Sequence, residues 1–171
     1  MSASLNGRTA LVTGSSRGIG QAIAEQLAAD GAAVVINYTR NEQPARAVVN
    51  RILGKGGKAI AIQADISKAA DVARLFSEAE KAMGQLDIVV ANAGVYIMKP
   101  FIESTEADYD YVFGINTKGV FFTLQEAARR VRDDGRIVVI STELTPRDIR
   151  SGLLSHDLWV FIVPSICSPN I

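Results

Sequence analysis

Three glycines, at 14, 18 and 20 in the stretch TGSSRGIG, stand between a short apolar run and a helical pattern. That placement suits the binding of a diphosphate. Gly14 allows a sharp exit from a strand, where a side chain would clash. Gly18 admits close approach of backbone to phosphate, and Gly20 lets the helix lie against the sheet. Unpaired N–H groups at a helix start, together with the macrodipole, favour phosphate charge by up to about 2 kcal/mol. Ser16, Arg17 and Ile19 share the loop and are candidate contacts for the same ligand. The plainer alternative is a simple strand-to-helix turn. The strand before and the helix after weigh towards a nucleotide.

A second group of residues bears on which nucleotide this is. A site for NAD places Asp or Glu at the end of the second strand, about 20 residues beyond the glycines, to hold the ribose 2′-hydroxyl. Here that strand ends INYTRN, residues 36–41, with no acid. Asn37 at the strand end and Arg40 just beyond it are candidate cofactor contacts. Arg17 and Arg40 together suit a 2′-phosphate, because charge-assisted hydrogen bonds contribute about 1.5–3 kcal/mol each. NADP(H) is therefore the expected cofactor, although Arg40 alone also reads as a solvated loop residue.

The elements that must position these residues follow from periodicity. Apolar runs at 8–13, 32–37, 58–65, 86–94 and 136–141 read as strands. Helical patterns at 18–31, 41–53, 68–83 and about 105–131 separate them, with Gly31, GKGG at 54–57 and Gly84 as stops. Such alternation predicts right-handed βαβ units and a parallel sheet covered on both faces. The fold class expected is α/β, a Rossmann-like doubly wound parallel sheet of strand order 3-2-1-4-5, with the strand reversal forming the cofactor crevice.

Composition narrows the function classes. The chain of 171 residues is 48% hydrophobic and 21% charged, enough apolar content for one sizeable core. Its 18 basic and 18 acidic residues cancel, which gives no electrostatic case for nucleic acid or an anionic membrane. One cysteine, Cys167, cannot make an internal disulfide and fits a reducing compartment. The apolar run LWVFIV, 158–163, is too short to span a bilayer, and the start MSASLNGRTA lacks a secretory pattern. The expected location is the cytoplasm, and no metal site is expected.

TGSSRGIG, then Asp65 after the third strand, NAG at 92–94, Asn116 in VFGINTKGVFF, and RIVVIST resemble the short-chain dehydrogenase/reductase family, its ketoacyl-reductase-like members above all. The likeness covers about residues 6–142. It implies that Asp65 bonds the adenine amino group, with Ile66 packing beside the ring. The alternative for Asp65, a helix N-cap, is weaker because Ser67 suits that role better. The resemblance places Asn92, Ala93 and Gly94 along the cofactor, where the plainer reading is a strand-end turn. It has Asn116 bending the long helix and holding a relay water, where the plainer reading is a polar residue on an exposed face. The substrate-orienting hydroxyl falls on Ser141 or Thr142, and the two stay open.

The same resemblance implies a tyrosine and, four residues later, a lysine as the acid/base pair. The tyrosines are 38, 96, 109 and 111, followed four residues on by Glu42, Pro100, Phe113 and Ile115, and the last lysine is Lys118. His156 beside Asp157 lies in a non-helical stretch and reads as incidental. Residues 143–171 hold three of the five prolines and no lysine. The expected boundaries are an incomplete NADP-binding domain at 1–142, truncated after the fifth strand, and a tail at 143–171 outside the family pattern, disordered or read from another frame. The expected function is hydride transfer between NADP(H) and a small carbonyl or alcohol, impaired in this chain. The alternatives are a non-catalytic NADP(H)-binding fragment or a partner of a full-length relative. The helix at 105–131, apolar on most faces, is expected to drive homo-oligomer formation.

Overall fold

Strand residues that alternate strictly send their side chains to two opposite layers. Ala10, Val12, Val34 and Ile36 pack on one face with Ala24, Ala28, Val48 and Ile52. Leu11, Val35 and Val89 pack on the other with Val72, Leu75, Phe76 and Ala127. The computed structural model describes residues 4–141 and the backbone of 153–154. Along the chain these are β1 (Thr9–Val12), α1 (Gly18–Ala29), β2 (Ala33–Tyr38), α2 (Glu42–Gly54), β3 (Lys58–Gln63), α3 (Ala69–Met83) and β4 (Ile88–Ala91). Then follow a two-residue β5 (Ile97–Met98), a 3₁₀ turn (Phe101–Glu103), α4 (Glu106–Phe113), a π-helical segment (Gly114–Gly119), α5 (Val120–Arg130) and β6 (Arg136–Val139). β7 (Leu153–Leu154) pairs antiparallel with β5.

The main sheet runs β3-β2-β1-β4-β6, all parallel. This is the expected order, with β6 as the fifth main strand because β5 intervenes. Ala10 stands opposite Val34 of β2 on one side and opposite Ile88 of β4 on the other, so β1 is central. The crevice between the ends of β1 and β4 is the point of strand reversal. Thr142, the tail expected at 143–171 and His156 lie outside the described side chains.

Two local expectations are corrected. The pattern at 105–131 does not form one α-helix. The ladder passes through the π segment Gly114–Gly119 that contains Asn116, and such segments are frequent at functional sites. Ser67 does not cap α3: its hydroxyl donates to Asp65 Oδ1 at 2.7 Å, and no side chain caps the helix. The start of α4 is firmly made. Thr105 and Asp108 form a capping box. Asp108 also pairs with Lys99, and Lys99 and then Thr105 hold its carboxyl down to about 2.

Opposite the crevice, Asp87 ties three strands together. Its side chain is 2% exposed and accepts from Arg8 Nη1 at 2.6 Å, while Oδ2 accepts from the Thr9 amide at 2.8 Å. Replacing Asp87 by Ala strands that amide and frees half of Arg8's pairing, although Arg8 is partly exposed and keeps Asp134. The expected loss is about 2–4 kcal/mol, measured by urea unfolding. A loss below the error of that measurement would show that the network contributes nothing.

Candidate functional site

The site is built from backbone turns held by buried side chains. β1 ends at Val12 and the chain turns at Gly14, whose φ is +62°. A Cβ there would lie 2.8 Å from Ala93 Cα, so Gly14 serves both the turn and a close backbone crossing. Gly18 has φ +58° with nothing within 4 Å of a Cβ, which leaves open space above its backbone. Gly20 is the tightest: a Cβ would sit 2.4 Å from Asn92 Nδ2 and 2.8 Å from the Gly14 carbonyl. Arg17 precedes α1, and no side chain caps the helix or places an acid in its first turn. The first N–H groups of α1 have no intrahelical acceptor and can take an anion.

Hydroxyls and amides bind this loop to the end of β4. Thr13 Oγ1 accepts from the amides of Asn92 and Ala93 at 3.0 and 3.1 Å. Asn92 Nδ2 donates to the carbonyls of Thr13 and Gly14 at 2.9 and 3.3 Å. From the next residues the contact passes to the long helix: Asn116 Oδ1 accepts from the Val95 amide at 2.9 Å, and Asn116 Nδ2 donates to the Val95 carbonyl at 2.8 Å. Gly94 lies between, with Asn116 Oδ1 3.6 Å from where its Cβ would be. The structure therefore brings Gly14, Gly20, Asn92, Ala93, Gly94 and Asn116 into one cluster. Asn116 is not an exposed polar residue; it holds the strand end against the helix.

Other candidates lie around this cluster. Ser16 is half-buried and Ile19 is 66% exposed, an apolar side chain left bare at the loop. Arg17 and Arg40 are exposed, and neither forms an ion pair among the described residues. Asp65 is half-buried. Its Oδ1 accepts from the Ser67 amide and hydroxyl, while Oδ2 has, among the described residues, only Lys68 Nζ at 3.7 Å. One carboxylate oxygen thus keeps acceptor capacity. Ser141 is exposed just past β6.

Two of the candidate side chains are buried. Ile66 is 2% exposed and sits in the core, because the π segment packs on it: a Cβ at Gly119 would lie 2.9 Å from the Ile66 carbonyl. Asn37 is 1% exposed, and its amide is engaged by backbone on both sides. Sequence reasoning missed Thr13 and Ser15, both buried. The available signal was a hydroxyl on each side of Gly14, at the end of a run otherwise apolar.

A family model described as short chain dehydrogenase matches residues 8–149. The chain is 49% identical over 156 residues to the hydroxynaphthalene reductase-like protein Arp2 of Metarhizium robertsii, covering 91% of this chain and 57% of that protein. It is 44% identical over 155 residues to a short chain dehydrogenase of Claviceps purpurea, covering 91% and 58%. Among solved structures, a dehydrogenase/reductase from Sinorhizobium meliloti matches with a TM-score of 0.81 and 44% identity, covering 85% of this chain and 59% of that one. A short chain dehydrogenase from Burkholderia cenocepacia in complex with NADP matches with a TM-score of 0.76 and 44% identity, covering 79% and 55%. The chain spans little more than half the length of the curated relatives it matches.

Proposed function

The chain belongs to the short chain dehydrogenase family, and from that premise we propose that it carries the NADP(H)-binding part of an oxidoreductase acting on a small carbonyl or alcohol. The observation that carries this reading is the crevice itself. An uncapped helix start, a loop opened by glycines at positive φ, and two arginines without ion pairs among the described residues meet the needs of a phosphorylated dinucleotide. Bound there, NADP(H) would supply or accept the hydride.

Each residue then has a stated task. The amides at Gly18 to Gly20 take the diphosphate, and Ser16 borders it. Arg17 and Arg40 take the 2′-phosphate. Asp65 accepts from the adenine amino group through its spare oxygen. Asn92, Ala93 and Gly94 line the nicotinamide side, where Ile19 offers an apolar wall. Asn116, fixed by Val95, keeps one lone pair and one N–H for a relay water. Ser141 or Thr142 donates to a substrate oxygen.

The 171 residues contain no tyrosine with a lysine four positions on. Without a general acid, turnover by this polypeptide should fall by about 10²–10⁴-fold relative to a family member that has one. Fluorescence titration with NADPH and NADH, alongside an NADPH-consumption assay with a panel of small ketones, tests this. Saturable NADPH binding with slow turnover is expected. No saturable binding of either nucleotide would defeat the reading.

Self-association belongs to the same proposal. Tyr109, Tyr111 and Phe121 are 54%, 45% and 59% exposed on one long helical unit. Asp110, Phe113, Gly114, Thr117, Lys118 and Phe121 line a cavity of about 600 Å³ on it. Covering such side chains gains about 1.5–3 kcal/mol each. Sedimentation at micromolar concentration should give a dimer or larger species, and Phe121→Ser should shift it towards monomer. A monodisperse monomer would contradict the expectation. Among the described residues no helix is long and apolar enough to cross a membrane.

A further inference from the structure

Asn37 stands one residue before Tyr38, the last residue of β2, with its side chain buried. The register of β1 on β2 ends at Val12 opposite Ile36. Beyond it, Asn37 takes over as the partner of the loop. The Gly14 amide donates to Asn37 Oδ1 at 3.0 Å, and the Ser15 amide donates to the Asn37 carbonyl at 3.0 Å. The Asn37 amide donates back to Ser15 Oγ at 3.1 Å, and that hydroxyl donates to the Val12 carbonyl at 2.7 Å. On the other side, Asn37 Nδ2 donates to the carbonyls of Ala64 and Ile62 at 3.2 and 3.4 Å.

The position needs an acceptor towards Gly14 and a donor towards β3, at the length of a short side chain. Asparagine supplies both. Aspartate supplies only acceptors and would set a buried charge against two carbonyl oxygens. Aliphatic residues supply neither.

We propose that Asn37 is a positioning residue that aims the phosphate loop, and that it makes no contact with the dinucleotide. This rests on the NADP(H) reading above. It adds that position 37 is committed to the loop, so cofactor choice passes to residues beyond it, Arg40 among them.

The test compares Asn37→Ala, Asn37→Asp and Arg40→Ala with the unaltered chain. It measures the Kd of NADPH and of NADH well below each melting temperature, and amide hydrogen exchange at Gly14 and Ser15 without nucleotide. Asn37→Asp is isosteric and keeps the acceptor for Gly14, so it serves if the alanine variant does not fold. Both Asn37 variants should weaken NADPH and NADH by the same factor, about tenfold or more for the loss of a buried hydrogen bond. Asn37→Ala should also speed Gly14 exchange about tenfold. A shift of preference towards NADH in Asn37→Asp would overturn the proposal, because the side chain would then reach the ribose. So would unchanged Kd values with only a lowered melting temperature. If the unaltered chain binds neither nucleotide, the NADP(H) reading falls separately: faster Gly14 exchange in Asn37→Ala still supports the clamp, and unchanged exchange overturns it.

Discussion

Gly14→Ala is expected to reduce NADPH affinity by about 5- to 140-fold and to lower the melting temperature as well. The added methyl meets two penalties at once. An L-residue at φ +62° stores about 1–3 kcal/mol of strain, and its Cβ would stand 2.8 Å from Ala93 Cα, a backbone atom that cannot swing away. Relief requires separating the loop from the end of β4, and overpacking of that kind costs about 1–3 kcal/mol. The strain lowers stability, whereas the displaced loop lowers affinity, tenfold for each 1.4 kcal/mol. Gly56→Ala separates the two effects. Gly56 has φ +80° and nothing within 4 Å of a Cβ, so it carries the strain without the collision and lies away from the crevice. It should lower the melting temperature and leave NADPH binding unchanged. If Gly14→Ala binds NADPH as tightly as the unaltered chain, the contact between loop and strand end has no part in the site.

Arg40→Ala is expected to weaken NADPH by about 10- to 150-fold and leave NADH nearly unchanged, from the loss of one charge-assisted hydrogen bond of about 1.5–3 kcal/mol. Arg17→Ala should act in the same direction, with a smaller preference for NADPH because its position before α1 also faces the diphosphate. The difference between the cofactors should shrink as salt rises, since both arginines are exposed and screening acts strongly on exposed charges. Equal losses for NADPH and NADH in Arg40→Ala would mean that Arg40 does not meet a 2′-phosphate.

The architecture was legible in the sequence because parallel strands buried on both faces read as apolar runs, and the glycine stops between them mark the crossovers. The glycine loop was legible for the same reason: Gly14 and Gly20 stand where backbone must pass close to backbone. What stayed hidden was the direction of side chains. Asn37 and Asp65 look alike on paper as polar residues at strand ends, yet one is consumed by neighbouring carbonyls and amides while the other keeps an oxygen spare. Ile66 reads as a residue beside a ligand, but Gly119 brings the π segment onto it and places it in the core. The π segment contains Asn116, which is bonded to Val95, 21 residues away, and helical periodicity carries no information about such a contact. Thr13 and Ser15 work by the same long-range bonding, which residue type alone does not announce.

The central claim is that the crevice at the ends of β1, β2 and β4 holds NADP(H). Hydrogen–deuterium exchange of the 171-residue chain, with and without saturating NADPH, tests it most directly. Protection is predicted over 14–20, 38–41, 64–67 and 92–95, with no change at 54–58 or 82–86 on the opposite end of the sheet. Protection at the opposite end with none over 14–20 would contradict the account.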